Sequence, residues 1–241
     1  MLRHYLVYLA LFMGACQPAN SLVQDRMTEM ANSPVSIPAA AARILALGDS
    51  YTIGEGVSPG ERWPVQLVGL LRQRGFAVAE PEIIARTGWT AGELQAAIGE
   101  AVLSPPYELV TLLVGVNNQY RGYPQDEYRG QFAALLQAAI GYAGGRAGGV
   151  LVLSIPDWGV TPYAAGRDRE RIAGEIDAFY RINRDEAALA GARYLDVPLD
   201  SRRVAVEPDL LAADGLHPSG KMYAGWAQLA LPVVMEMWTR E

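Results

Sequence analysis

Two short blocks of this chain carry groups that could do nucleophilic chemistry. Gly48-Asp49-Ser50-Tyr51 offers a hydroxyl, and Asp214-Gly215-Leu216-His217-Pro218 offers an imidazole with a carboxylate three residues before it. A serine hydroxyl is a poor nucleophile until a neighbouring base takes its proton. The chain has 2 histidines, and His4 stands in a segment with the character of a cleaved leader, so His217 is the only ordinary candidate for that base. An imidazole works best when an acceptor holds its other nitrogen, fixing the tautomer and stabilising the cation. Asp214 can do this from the same loop. Each residue also has a plainer role. Ser50 can be the N-cap of a helix, His217 a helix-entry residue before Pro218, and Asp214-Gly215 a common turn dipeptide. For the chemistry to be absent, all three plain roles must hold together in one chain.

Two further blocks stand between them: Arg86-Thr87-Gly88-Trp89-Thr90, and Gly115-Val116-Asn117-Asn118-Gln119, which can also be read as a turn. What must position all four is a repeating pattern that starts at Arg43. Short runs rich in Ile, Leu and Val at 43–47, 82–85, 109–114, 150–155 and 194–197 read as strands buried on both faces. Amphipathic stretches at 63–74, 91–103, 125–142, 168–190 and from Pro218-Ser219 to about Trp238 read as helices. Pro64 suits a first helical turn, and Thr90 with Glu93 has the form of a capping box. Strand–helix alternation predicts a parallel sheet with helices on both faces and right-handed crossovers. Ligands of such sheets sit outside the carboxyl ends of the strands, where three of the four blocks fall.

In this order and register, the four blocks resemble the signature blocks of the SGNH/GDSL hydrolases, and together they span residues 48 to 218. The resemblance implies an α/β fold, a flavodoxin-like three-layer α/β/α sandwich around a five-stranded parallel sheet. It implies ester cleavage through an acyl-enzyme without a cofactor, with Ser50, Asp214 and His217 as the triad. It also implies three oxyanion donors: the backbone N–H groups of Ser50 and Gly88 and the side-chain amide of Asn117. A preset donor set of this kind stabilises the charge that develops on the carbonyl oxygen. Tyr51 and Asn118 depart from the Leu and Asp common in the family at these positions, which leaves the catalytic groups intact and reshapes the pocket wall. No Gly-x-Ser-x-Gly occurs, so a nucleophile-elbow fold is disfavoured.

The remaining signals bear on substrate and address. Tyr51, Trp89, Tyr120, Tyr123, Trp158 and Tyr163 follow the functional loops. With Asn118, five positions (Tyr51, Trp89, Asn118, Tyr120 and Trp158) are expected to touch substrate, either stacking on a sugar or holding an acyl chain; the alternative is aromatic capping of the sheet's end. Arg86 and Arg121 could meet an anionic substrate or pair with surface carboxylates. Gly54-Glu55-Gly56 does not fit a dinucleotide loop and reads as a flexible loop beside the serine. The acidic residues Asp157, Asp196 and Asp209 have no histidine partners, so no metal is expected. A length of 241 residues suits one folded domain, and a net charge of −6 gives no reason to expect nucleic acid. Met1 to Met13 is a basic start followed by an apolar run too short to span a bilayer, and Gly14-Ala15-Cys16 resembles a lipobox. The expected order is a signal peptide at 1–15, a lipidated Cys16 with a Pro/Ala/Ser-rich tether to 42, and a hydrolase domain at 43–241. That places a monomer on a bacterial envelope membrane through its lipid; an ordinary secreted, soluble form is the alternative. The substrate is expected to be a small-molecule, glycan or lipid ester. Two other functions compete: acyl transfer to a glycan acceptor, and a tethered binding module without turnover.

Overall fold

The computed structural model describes residues 41–197 and 202–239. Cys16, the leader and all but the last two residues of the tether lie outside the described residues. The folded part begins by Ala42, whose N–H donates to Ala77 at 2.8 Å and whose carbonyl accepts from Ala79 at 2.9 Å.

Five parallel strands form one sheet: β1 (Ile44–Gly48), β2 (Glu82–Ala85), β3 (Leu109–Leu113), β4 (Val150–Leu153) and β5 (Arg193–Leu195), in the order β2-β1-β3-β4-β5. The three central strands are buried along their whole length, whereas β2 and β5 are half-buried edges. This is why β1, β3 and β4 read as unbroken apolar runs: both faces are covered. The flavodoxin-like α/β sandwich expected from the sequence is the observed fold. Its helices are α1 (Ser50–Ile53), α2 (Trp63–Gln73), α3 (Ala91–Glu100), α4 (Val116–Tyr120), α5 (Gln125–Tyr142), α6 (Arg169–Ala190) and α7 (Gly220–Thr239). One helical layer pairs α2 with α7, and the other joins α3, α5 and α6.

Beyond shifts of one or two residues at other element ends, three details differ from the sequence reading. The short helices α1 and α4 stand where loops were expected, because four or five residues are too few to show a period. Helix α3 stops at Glu100 instead of Leu103, since Ser104 precedes Pro105-Pro106 and residues before proline favour extended backbone. Strand β5 spans Arg193–Leu195 instead of 194–197, because beyond Leu195 side chains replace the ladder. Val197 N–H donates to Ser154 Oγ at 2.8 Å, and Asp196 accepts from the Tyr180 hydroxyl at 2.9 Å.

The strand order places a topological switch between β1 and β3, whose outward connections run to β2 and β4 on opposite sides. The crevice at the carboxyl end of such a switch is where these sheets bind ligands. Ser50 stands just past the end of β1, after Asp49, and Asn117 stands in the short helix that begins at Val116 after β3.

Candidate active site

Ser50 is the first residue of α1, not its cap. Asp49 caps the helix, accepting the Tyr51 N–H at 3.0 Å through Oδ1. This one-turn helix turns the serine out of the end of β1 and into a pocket of about 140 Å³, whose walls include Gly88, Asn117, Tyr120, Trp158 and His217. The pocket surface is mostly apolar.

His217 and Asp214 come from the loop before α7. Asp214 is locked by its own turn: Oδ1 accepts the N–H groups of Leu216 and His217, both at 2.9 Å. Its Oδ2 lies 2.7 Å from His217 Nδ1. Burial pushes the Asp214 carboxyl up, but the His217 hydrogen bond and the two backbone donors outweigh it and hold the group below its ordinary value. The carboxylate therefore stays charged beside the ring. With Nδ1 tied to Asp214, the opposite ring nitrogen is the one left for the pocket that His217 shares with Ser50. Tyr51 flanks the imidazole at 5.3 Å between ring centroids and is itself backed by Trp226 at 6.3 Å. The family departure at position 51 thus packs a ring against the imidazole.

The other two blocks supply polar groups across the pocket. Gly88 has φ +86°, a left-handed backbone that costs a side-chain-bearing residue strain, and a Cβ there would meet only Arg121 Nη2 at 3.9 Å. Arg121 donates to the Gly88 carbonyl at 2.6 Å and pairs with Glu93 at 3.3 Å, so it holds this loop instead of facing a ligand. Thr87 hydrogen-bonds Glu55, tying the same loop to the segment after the serine. Asn117 donates one amide hydrogen to the Trp89 carbonyl at 2.9 Å, which fixes its side chain and leaves its second N–H.

The structure corrects one expected substrate contact outright. Asn118 is fully buried, accepting the Ala91 N–H at 2.8 Å and donating to Gln131 at 3.2 Å, so its amide ties α3 to α5 and has no face in the pocket. Trp89 does not line the pocket either. Its ring packs on the core while its carbonyl holds Asn117. Tyr51, Tyr120 and Trp158 do line it, as does Tyr163. Val116 and Leu216 complete the wall, and their apolar side chains gave no chemical signal in the sequence. The 54–56 loop lies beside the serine, as expected, and Glu55 ties it to Thr87. Arg86 is exposed, away from that lining. Among the described residues, no cluster of His, Cys, Asp or Glu could hold a metal ion.

The buried carboxyl of Asp49 is the main feature the sequence did not suggest. It is 0% exposed, and burial raises it to about 7 against the pull of the Tyr51 N–H. Its cue was positional only: an Asp directly before a one-turn helix at the end of a buried strand.

Solved structures share this architecture. TesA superposes with a TM-score of 0.62 at 20% identity, covering 81% of this chain and 99% of its own. Axe2, an acetylxylan esterase from Geobacillus stearothermophilus, gives 0.61 at 20% identity over 80% of this chain and 94% of its own. LAE5, an α/β hydrolase enzyme from the metagenome of Lake Arreo, gives 0.62 at 20% identity over 83% and 97%. At such identities the likeness speaks for the fold. No curated protein matches the chain. Residues 46–224, most of the folded part and all four blocks, match the family described as GDSL-like Lipase/Acylhydrolase. The chain belongs to that GDSL-like lipase/acylhydrolase family and is a carboxylic ester hydrolase.

Proposed function

We propose that this chain cleaves short-acyl esters of polar alcohols by a two-step acyl transfer. Ser50 Oγ attacks the ester carbonyl while His217 takes its proton. Asp214 holds Nδ1, sets the tautomer and stabilises the imidazolium. The tetrahedral oxyanion is met by the N–H groups of Ser50 and Gly88 and by the free N–H of Asn117. Collapse expels the alcohol, which takes the proton from His217 and leaves an acyl-Ser50 ester. Water, deprotonated by the same imidazole, then releases the acid and restores the serine.

The observation that carries this reading is the 2.7 Å Asp214–His217 bond on the wall of the pocket that also holds Ser50. Chamber size supports the acyl limit: about 140 Å³ of mostly apolar space leaves little room for a long chain. The polar alcohol is supported by the more polar space beyond Tyr120 and Trp158. That neighbouring space also favours a second reading, acyl transfer to a bound alcohol in place of water, which product analysis with added polyols separates from hydrolysis. We further propose, from Gly14-Ala15-Cys16 and the tether composition, that the chain is held at a bacterial envelope membrane by lipid on Cys16.

A fluorophosphonate probe tests the nucleophile. It reacts only with an activated serine, so the expected result is one adduct on Ser50, absent in Ser50→Ala and strongly slowed in His217→Ala. An unlabelled wild type, or labelling at another serine, contradicts the assignment.

A further inference from the structure

Beside the Ser50 pocket lies a larger chamber of about 480 Å³, and Tyr120 and Trp158 line both. The two spaces therefore share an aromatic wall, and Arg167 sits on it. Its guanidinium carbon is 5.3 Å from the ring centroids of Tyr120, Trp158 and Tyr163 alike. One of its nitrogens donates to the Tyr120 hydroxyl at 3.3 Å, and that hydroxyl is 3.1 Å from the hydroxyl of Tyr163. The Tyr163 hydrogen bond and then Arg167 hold the Tyr120 hydroxyl below its ordinary value.

The other charged groups of this chamber already have partners. Arg171 pairs with Glu175 at 3.1 Å. The second Glu175 oxygen accepts from Gln119 at 2.7 Å, and the Gln119 carbonyl accepts the Trp158 indole N–H at 2.8 Å. Asp168 is spent capping α6, accepting the Arg171 N–H at 3.0 Å. Among the described residues, Arg167 is the cation of this chamber that pairs with no carboxylate.

Aromatic faces hold a guanidinium flat and leave its edge N–H groups for a ligand. A neutral group closing over Arg167 would strip its water and return nothing, which is costly for a charge. A carboxylate or phosphate would replace that water with two parallel charge-assisted hydrogen bonds. We propose that Arg167 and its three-ring seat form an anion-reading subsite, so that the alcohol part of the substrate carries a carboxylate or phosphate beyond the ester. The scissile acyl group would sit at Ser50, the alcohol would pass the Tyr120–Trp158 wall, and its anionic group would dock on the guanidinium edge. This specificity rests on the reading of Ser50 as the nucleophile.

The test separates binding from turnover. Full-length Ser50→Ala is titrated calorimetrically with 4-acetoxybenzoate, 4-acetoxyphenyl phosphate and the neutral 4-acetoxybenzamide, and the series is repeated in Ser50→Ala/Arg167→Gln. Both anions are expected to bind about tenfold more tightly than the amide, and the preference is expected to vanish with Arg167→Gln. Arg167→Lys should restore part of it, since the charge returns without the planar fork. The anion that loses more on Arg167→Gln identifies the chemistry the subsite reads. Equal affinities for anions and amide, an anion preference that survives Arg167→Gln, or no measurable anion binding would each overturn the proposal. None of these outcomes depends on turnover, so a failure of the nucleophile assignment shows separately, in the fluorophosphonate labelling.

Discussion

Asp214 is immobilised before it meets the imidazole, because two backbone donors of its own turn occupy one oxygen and leave the other for His217 Nδ1. The isosteric Asp214→Asn keeps that shape but can hold the ring in the wrong tautomer. The expected loss in kcat is roughly 10³–10⁴-fold, with KM little changed. Steady-state kinetics on a small acyl ester checks this, and a loss below tenfold would remove Asp214 from the mechanism. The depressed Asp214 carboxyl also contributes stability above its ordinary pKa, and this is lost as pH falls through its lower folded value. Asp49 has the opposite sign. It titrates near 7 in the fold against 3.8 for a free carboxyl, so the folded chain holds that proton more tightly than the unfolded chain. Its penalty is absent below pH 3.8, grows as pH rises toward 7 and is complete above it. Asp49→Asn keeps an oxygen for the Tyr51 N–H without the charge. It is expected to be more stable than wild type by on the order of a few kcal/mol at pH 8, with the two converging near pH 4. Denaturant melts across that range measure it, and a pH-independent gap would contradict the account.

At the scale of elements, two glycines with positive φ at strand ends do different work. A Cβ on Gly115, at φ +130°, would lie 2.2 Å from the Tyr128 hydroxyl, which is buried and bonded to the Val114 carbonyl at 2.9 Å and to Asn183 at 2.5 Å. Gly115→Ala should therefore cost about 3 kcal/mol or more through overpacking and strain together, and lower the melting temperature. Gly88 has open space at its Cβ position, so Gly88→Ala should cost only about 1–2 kcal/mol of backbone strain. Its larger effect is expected on kcat, because the loop it shapes carries the proposed Gly88 oxyanion donor. Paired melts and kinetics test the contrast, and equal stability losses would refute it. These same elements mark how far the sequence could be read. The strands, the long helices and the four blocks were legible because burial on two faces and helical periods leave long patterns. The one-turn helices α1 and α4 leave none. Asn118 was misplaced for a related reason: neighbours along a short helix point in different directions, so Asn117 faces the pocket while Asn118 faces the α3–α5 seam. Trp89 lies in the loop before α3, where no period assigns a face. The Arg121–Gly88 and Thr87–Glu55 ties join segments more than 30 residues apart, and no local pattern records such a pairing.

For the whole molecule, the described core closes on itself: the sheet is covered by helices on both faces, and Ala40–Glu241 form one compact unit. Removal of residues 1–40 is expected to leave the melting temperature and ester turnover unchanged within error. A drop of several degrees would show that the leading segment contributes to the fold. The same truncation, or Cys16→Ser alone, is expected to release the chain from membranes of a bacterial host into the soluble fraction. Turnover through an acyl-enzyme is tested by rapid-mixing hydrolysis of p-nitrophenyl acetate by the full chain beside Ser50→Ala. Expected are a burst of nitrophenol of about one equivalent per chain, a slower steady phase, and a loss on the order of a thousandfold or more in Ser50→Ala. Turnover that survives the loss of the Ser50 hydroxyl would contradict it.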